Sequence, residues 1–224
     1  MIAVVIPPLV RLARARRTWV WCLVWASVAL LFAVRARHLG LGHGSDDVLL
    51  GVYAMLALPF ISYVCVRGAV GPGSLARSIR PLVSLGATRW KTSVGTVAVA
   101  ATVCAVAGGS LGAILAWVAH GSGDPPVLRD ALLTAYAGAL GGVAYGCVFV
   151  AASRLGGWGA AFWLIVDWLL GAASGAQSLA VPRAHVRNLL GGMAPMGIAE
   201  RTSALWLLAI AAIATGFAVA PRKA

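Results

Sequence analysis

Residues 67–92 read RGAVGPGSLARSIRPLVSLGATRWKT, a basic segment punctuated by glycine and proline between two long apolar runs. Leu75, Ile79, Leu82 and Val83 follow the i, i+4, i+7, i+8 spacing of one helix face, and the arginines lie off that face. The spacing predicts a short amphipathic helix. Its neighbours in the sequence decide what kind of protein carries it.

The apolar runs on either side of this segment define the class of protein. The chain has 224 residues, of which 61% are hydrophobic and 11% charged, and its mean hydropathy is +0.90. A soluble domain of this size could not bury so much apolar surface, whereas about 20 apolar residues cross a bilayer core of about 30 Å. We therefore predict an all-α integral membrane protein with six transmembrane helices and no long soluble domain, at residues 18–34, 48–66, 93–119, 131–152, 157–176 and 203–220.

The charge distribution predicts the orientation of these spans. With both termini inside, the inner segments carry twelve positive residues and no acidic one, and the outer segments carry six arginines and five acidic residues. Positive residues concentrate on the cytoplasmic side of membrane proteins. We expect an N-in, C-in protein of the bacterial cytoplasmic membrane, and since anionic headgroups account for the basic residues, no nucleic acid partner.

The two segments outside the regular spans have predicted shapes of their own. Residues 1–17 combine an apolar stretch with RLARARR and predict a cytoplasmic amphipathic interfacial helix, with Pro7 and Pro8 in its first turn or just before it. No convincing cleavage site for a signal peptide follows the first span. Residues 177–202 predict an external re-entrant hairpin, with the apolar pieces 188–193 and 196–199 dipping into the outer leaflet.

Asp167 is the one acidic residue predicted to lie inside a span. A carboxylate at the centre of a bilayer costs about 2.5–3.5 kcal/mol on insertion scales, so it must face protein or water. Two interpretations stay open: a contact on a translocation path, or a structural hydrogen bond to Thr134, Tyr136 or Tyr145.

Glycines predict close helix contacts in two spans. Gly138, Gly142 and Gly146 repeat every four residues, and Gly108 and Gly112 have the same spacing. The second pair also frames Ser110 in a GxSxG string typical of serine hydrolases, but every histidine lies in a predicted loop. We therefore expect helix packing, within the chain or across a dimer, rather than an intramembrane serine protease.

Metal and disulfide chemistry are also considered and not favoured. His38, His43, Asp46 and Asp47 crowd the first outer loop, whose glycine-rich sequence argues against a preformed metal site. The four cysteines lie inside apolar spans without CxxC spacing, so they are interpreted as small buried side chains. We expect no metal and no catalytic residue on this chain.

The segment 73–97, GSLARSIRPLVSLGATRWKTSVGTV, resembles the coupling loop of the permease subunits of type-2 ABC exporters. In those proteins a short helix after the second span leads through a small-residue turn into the third. The positions that match in kind are Leu82, Leu85, Gly86, Ala87, Thr88, Arg89 and Gly95. A glutamate usual near the start of that loop is replaced by Pro72 and Gly73. The Glu-Ala-Ala signature of importer permeases is absent.

The resemblance implies a function for which the chain itself needs no nucleotide motif. A separate ABC ATPase, which carries ATP and Mg²⁺, would bind the 67–92 loop and move two permease copies in a homo- or heterodimer. The implied coupling residues are Leu75, Arg77, Ile79, Leu82, Leu85, Gly86, Ala87, Thr88 and Arg89. The candidate residues of the implied translocation path are Asp167, Trp163, Tyr136 and Tyr145. An ion-coupled carrier or a membrane scaffold without an ATPase remains the alternative.

Overall fold

The computed structural model describes residues 2–39, 44–121 and 126–221 of the chain. All regular structure in these residues is helical, so the predicted all-α fold class is confirmed. The helices are α1 (Ile2–Arg14), α2 (Arg16–Leu39), α3 (π-helical over Asp47–Ala57, then α-helical over Leu58–Val70), α4 (Leu75–Ser84), α5 (Arg89–Ala119), α6 (Val127–Ala152), α7 (Gly159–Leu170), α8 (Pro182–Leu189) and α9 (Glu200–Val219).

Five helices of the described chain are long and apolar enough to cross a membrane, namely α2, α3, α5, α6 and α9. Helix α6 lies at the centre of the bundle and packs most extensively on α5, and also on α9 and α3. Most of the large exposed side chains of α2 and α9 are apolar, as expected for faces that meet lipid. The two ends of the bundle are called here the α4 end, where α3 finishes, and the α8 end, where α3 begins.

The predicted fifth span, 157–176, differs from the structure. Its helix α7 has 12 residues and rises about 18 Å, too short to cross a 30 Å core alone. After Gly171 the chain turns, forms a short 3₁₀ helix over Ala176–Ala180 and continues into α8. The apolar composition of 157–176 suggested a continuous helix, whereas the contacts of Asp167 and Arg183 end it early.

The predicted re-entrant pieces 188–193 and 196–199 are not two helices of a hairpin. Residues 188–193 contain the end of α8 and a turn, and Pro195–Gly197 forms a 3₁₀ turn before α9. The buried element of this segment is α8 itself, whose first five residues after Val181 are all buried. Hydropathy overlooked α8 because its residues are polar, and it is stabilised by partners that a hydropathy window cannot detect.

The predicted helix at the N-terminus is confirmed as α1, but its two prolines do not lie where the sequence predicted them. Pro7 and Pro8 lie inside the helix rather than in its first turn. A proline cannot donate a backbone hydrogen bond, which leaves carbonyl groups one turn earlier free of helical partners. The carbonyl of Val4 faces Gly95 of α5, where a Cβ would lie 2.9 Å from its oxygen. Gly95 therefore allows α5 to approach α1 closely.

Candidate functional site

The segment between α3 and α5 forms the amphipathic helix that its sequence predicts. Leu75 and Ile79 are buried beneath α4, whereas Arg77 and Arg80 are exposed. Helix α4 continues through Pro81 instead of dividing there, since Pro81 lies in its last turn and costs only one backbone hydrogen bond. The buried stripe covers the first half of the helix only.

Both ends of α4 are capped by local hydrogen bonds. The side-chain oxygen of Ser74 accepts from the backbone N–H of Arg77 at 3.4 Å and forms the N-cap. At the other end the N–H groups of Gly86 and Ala87 bond to the carbonyls of Val83 and Leu82, each at 3.0 Å. This is a Schellman motif, and Gly86 adopts its positive φ of 90°. The caps hold the helix to a defined length.

Helix α4 is also fixed to the rest of the α4 end. Arg11 of α1 donates to the hydroxyl of Ser78, to its carbonyl at 3.1 Å and to the carbonyl of Val70 at 3.4 Å. Burial of this guanidinium lowers the pKa of Arg11 from its ordinary value. A groove of about 470 Å³ separates the two helices beside these contacts. Arg11 therefore joins α1 to α4 and to the end of α3.

The tip of the α4 segment presents apolar side chains to solvent. Leu85 is 83% exposed, although its helix is capped and anchored, and Val83 is also exposed. The next connection at the same end carries Leu155 and Trp158, which are 73% and 85% exposed. Arg67 holds the two connections together by donating to the carbonyl of Gly157 at 2.9 Å. Such a surface is typical of a protein contact.

Asp167 lies at the centre of a buried polar cluster on the other side of the molecule. Its carboxylate accepts from the hydroxyl of Tyr145 at 2.9 Å and from the backbone N–H of Arg183 at 3.2 Å. The Arg183 Nε lies 3.5 Å from Asp167 Oδ2. Of the three hydrogen-bond partners predicted for Asp167, the structure brings Tyr145 to it, and it adds Arg183, which the sequence placed in an outer loop.

Helices α7 and α8 cap each other through this cluster. Asp167 of α7 accepts at the N-terminus of α8, where backbone N–H groups lack helical partners. In return Arg183 Nη1 donates to the carbonyl of Trp168 at 2.9 Å, and Arg187 Nη1 to that of Gly171 at 3.2 Å, near the C-terminus of α7. Negative charge at a helix start and positive charge at a helix end are both favourable.

A second buried network joins α8 to α9. His185 Nε2 lies 3.0 Å from the carbonyl of Leu179, which requires that this nitrogen carry the proton. Its Nδ1 then accepts from the hydroxyl of Ser203 at 3.1 Å, and Asn188 donates to the same hydroxyl at 2.8 Å. Burial lowers the pKa of His185. With every described group satisfied, the network is suited to holding α8 in place.

The predicted packing glycines lie at the crossing of α5 and α6 within one chain. A Cβ at Gly108 would stand 2.6 Å from the carbonyl oxygen of Gly138, and one at Gly146 would stand 2.7 Å from the Cα of Ala101. Gly112 and Gly142 face the partner helix in the same way. Because no side chain separates them there, the two backbones are nearly in contact.

Tyr53 occupies this crossing and was not among the predicted residues. It is fully buried in the π-helical part of α3, and its hydroxyl donates to the carbonyl of Gly108 at 2.7 Å. A Cβ at Gly112 would lie 2.8 Å from that hydroxyl, and one at Gly138 would overlap it. π-Helical turns often mark functional sites. The sequence offered only a tyrosine inside an apolar span, which does not show that it faces the two glycine-rich helices.

The remaining path candidates have no described hydrogen bond to Asp167. Tyr136 is 54% exposed on the outer face of α6. Trp163 precedes Asp167 by about one turn of α7 and lines an apolar cavity of about 500 Å³ with Trp206 and Phe217 of α9. Its Nε1 has no hydrogen-bond partner among the described residues. Of the three aromatic candidates, Tyr145 is the one that the described structure joins to Asp167 by a hydrogen bond.

Among the described residues, the structure shows neither a catalytic base beside Ser110 nor a group of converging metal ligands. Ser110 is exposed beside a cavity whose described lining contains no histidine, and the buried histidine, His185, is engaged with Ser203 instead. Among the described residues no group of three or more metal-binding side chains converges. His43 of the first outer loop lies outside the described residues, as do Arg222 and Lys223 of the basic tail.

Comparisons with protein-family models, with curated proteins and with solved structures find no match to this chain.

Proposed function

We propose that this chain is the permease subunit of an ATP-driven ABC transporter of the type-2 exporter kind, working as a dimer with a separate ATPase. The observation that carries the proposal is the α4 segment. It is a capped, anchored amphipathic helix whose tip places Leu85 in solvent within a basic loop. An exposed leucine at the end of a capped helix offers apolar surface that a partner protein can bury.

The arrangement around α4 supports a role in transmitting force. Helix α4 packs on α5, Arg11 joins it to α1, and Arg67 joins the neighbouring connection to the end of α3. In this proposal, a force applied at Leu85 is transmitted through these contacts to α1, α3 and α5. Arg77 and Arg89 are exposed beside it and suit an acidic partner surface. The coupling segment of the proposal comprises Leu75, Arg77, Ile79, Leu82, Leu85, Gly86, Ala87, Thr88 and Arg89. Leu75 and Ile79 are buried, so in this proposal they hold α4 on the bundle instead of contacting the partner.

The proposal includes six membrane crossings with both termini inside. Five crossings are α2, α3, α5, α6 and α9. The sixth consists of α7, which packs against α6 and α8, and the turns that follow it, of which Gly171 and Ser178 are buried. This places the α4 end in the cytoplasm and the α8 end outside a bacterial cytoplasmic membrane.

A second candidate, an ion-coupled carrier, is favoured by the buried Asp167–Arg183 pair. Ionisable pairs inside membrane proteins often belong to ion pathways. In that function transport would follow an ion gradient and would not need the α4 surface. The two candidates are therefore separated by whether an ATPase binds and is needed.

The decisive experiment is purification from the native host in mild detergent with a photo-crosslinking residue at position 85. We expect a nucleotide-binding subunit in the crosslinked product and ATPase activity in the preparation. Leu85→Asp, purified in parallel without the crosslinker, should lose the bound ATPase subunit and its activity, because a carboxylate cannot enter an apolar pocket of the partner without a large desolvation cost.

Met193→Asp is the matched control, since Met193 is an exposed apolar residue at the opposite end of the bundle. It should leave the ATPase bound. A pure chain without ATPase activity, or equal ATPase recovery with Leu85→Asp and wild type, refutes the coupling proposal. Gradient-driven transport by such a preparation would then identify the carrier.

A further inference from the structure

A cavity of about 300 Å³ opens between the start of α3 and helix α8. One side is basic, formed by Arg183 and Arg187 of α8. The other is formed by α3 and includes Leu50, Gly51 and Met55, with Asp47 at the end of that side. An apolar wall that faces convergent polar groups is typical of a ligand site.

Arg183 has hydrogen-bonding capacity that the described protein does not use. The residue is fully buried, its Nη1 donates to Trp168 and its Nε faces Asp167 at 3.5 Å. The remaining terminal nitrogen, Nη2, is buried without a hydrogen-bond partner among the described residues. A buried donor left unsatisfied costs about 1–3 kcal/mol, and more when it is charged. An acceptor from outside the described chain would remove this cost.

Arg187 lies one helical turn further along α8 and lines the same cavity. Its Nη1 donates to the carbonyls of Gly171 and Ala172 at 3.2 and 3.4 Å, and its other nitrogens have no hydrogen bond within the described part of the chain. Two guanidinium groups four residues apart on one helix face can approach a single oxyanion. Planar, forked donors match the oxygens of phosphate better than a point charge does.

We propose that this cavity binds a phosphate group through Arg183 and Arg187. Where the phosphate belongs to a lipid, Leu50 and Met55 receive the first methylenes of its tails. Asp47 is exposed at the cavity, and its negative charge lowers the affinity of the cavity for phosphate. The inference involves neither α4 nor an ATPase and stands independently of the proposed function.

The test is the thermal stability of the purified protein in neutral detergent, titrated with phosphatidylglycerol, diacylglycerol or inorganic phosphate. A ligand that binds the folded state raises the unfolding temperature in a saturable way. Protection by phosphatidylglycerol but not by diacylglycerol identifies a lipid phosphate. Equal protection by inorganic phosphate identifies a free phosphate instead. Protection by neither phosphate compound overturns the proposal.

Three variants place the effect at the cavity. Arg187→Gln should weaken phosphate binding about tenfold or more, the loss expected for a charge-assisted hydrogen bond. Arg201→Gln, which changes an exposed arginine on α9, should leave binding unchanged. Gly51→Leu adds a side chain to the cavity from the α3 side, where a Cβ meets no atom within 4 Å, and should weaken lipid binding.

Asp47→Asn is expected to strengthen phosphate binding, a result that misfolding of the variant could not produce. Removing this negative charge should tighten phosphate binding several-fold at low salt, and salt should reduce the difference. Unchanged affinity in both Arg187→Gln and Asp47→Asn would show that any bound phosphate lies elsewhere on the protein and would overturn the site.

Discussion

At the scale of single residues, Asp167 shows how a costly side chain becomes part of the structure. Its carboxylate is fully buried, yet it has a hydroxyl, a backbone N–H and a guanidinium around it. The cost of the charge explains why it must have partners. It does not identify them, since Arg183 follows 16 residues later in a segment that looks like an ordinary polar loop.

Removing one member of this pair should be more harmful than removing both. We expect Asp167→Asn to destabilise the protein by about 3–5 kcal/mol, because it leaves Arg183 buried and uncompensated. The double variant Asp167→Asn with Arg183→Gln should recover part of that loss. Tyr145→Phe should cost about 1.5–3 kcal/mol, the value of one hydrogen bond to a charged group. Unfolding in mixed micelles measures all three.

The control for this cycle is Tyr136→Phe, which alters an exposed hydroxyl on the same helix as Tyr145. It should change stability by less than about 0.5 kcal/mol. If Asp167→Asn proves no worse than this control, the buried pair does not form.

His185 predicts an acid-sensitive fold. Burial lowers its pKa below the ordinary 6.5, so the unfolded chain binds a proton at a higher pH than the folded protein does. Stability should therefore fall as the pH drops below about 6.5, by at most about 1.4 kcal/mol per pH unit from this group. Melting temperatures at pH 7.5 and 5.5 should converge more closely in His185→Gln than in wild type. Parallel losses in the two proteins would assign the acid sensitivity to other groups.

At the scale of elements, the α5–α6 crossing depends on the absence of side chains. The glycine spacing predicted this contact, but whether it lies within the chain or across a dimer needed the structure. Tyr53 could not be foreseen in the same way, because its place depends on how a third helix crosses the other two. A contact face marked by a regular spacing of residues is thus predictable from the sequence, whereas the helix that packs on that face is not.

Gly142→Ala should destabilise this crossing. The added Cβ would overlap the backbone carbonyl of Cys104, and overpacking of this kind costs about 1–3 kcal/mol. Gly216→Ala on α9 is the matched control, since nothing lies within 4 Å of its Cβ. Alanine favours helix over glycine, so this control should be neutral or stabilising by up to about 1 kcal/mol. Equal effects of the two changes in detergent unfolding would contradict the close crossing.

The C-terminal cap of α4 can be tested separately. At Gly86 the backbone φ of 90° is unfavourable for any residue with a Cβ, so Gly86→Ala should loosen the last turn of α4. Hydrogen exchange should then accelerate at the amides of residues 86 and 87. Exchange in α6 should stay unchanged, because the cap does not touch the bundle core. Unaltered protection at residues 86 and 87 would show that the cap does not limit fraying.

At the scale of the whole molecule, composition predicted the helical class and five of the six proposed spans. It failed at residues 157–202, where the chain departs from uniform helices. Hydropathy averages over about 19 residues, and there a 12-residue helix, a turn and a polar helix are averaged together. A proline preceding Arg183 was the available sign of a helix start. The burial of α8 depends on tertiary contacts that no local pattern contains.

The orientation of the molecule gives a prediction at this scale. In sealed cells Met193→Cys should react with a membrane-impermeant maleimide, and Leu85→Cys should react only after the membrane is opened. Both positions are exposed, so accessibility of the side chain is not limiting. The native cysteines are buried or half-buried within helices, and labelling of the unsubstituted protein measures their background reaction with the maleimide. Labelling of position 85 from outside would reverse the proposed topology.

The reciprocal capping of α7 and α8 has a consequence for how the chain is made. While α7 is being synthesised, Asp167 has no counter-ion, and a 12-residue helix with a charge is a poor candidate for release into lipid. Arg183 leaves the ribosome 16 residues later and completes the pair. Helix α7 should therefore become stable in the membrane only after α8 has docked on it. A chain stalled with α7 emerged but Arg183 still inside the ribosome should keep α7 beside the insertion machinery, without its partner.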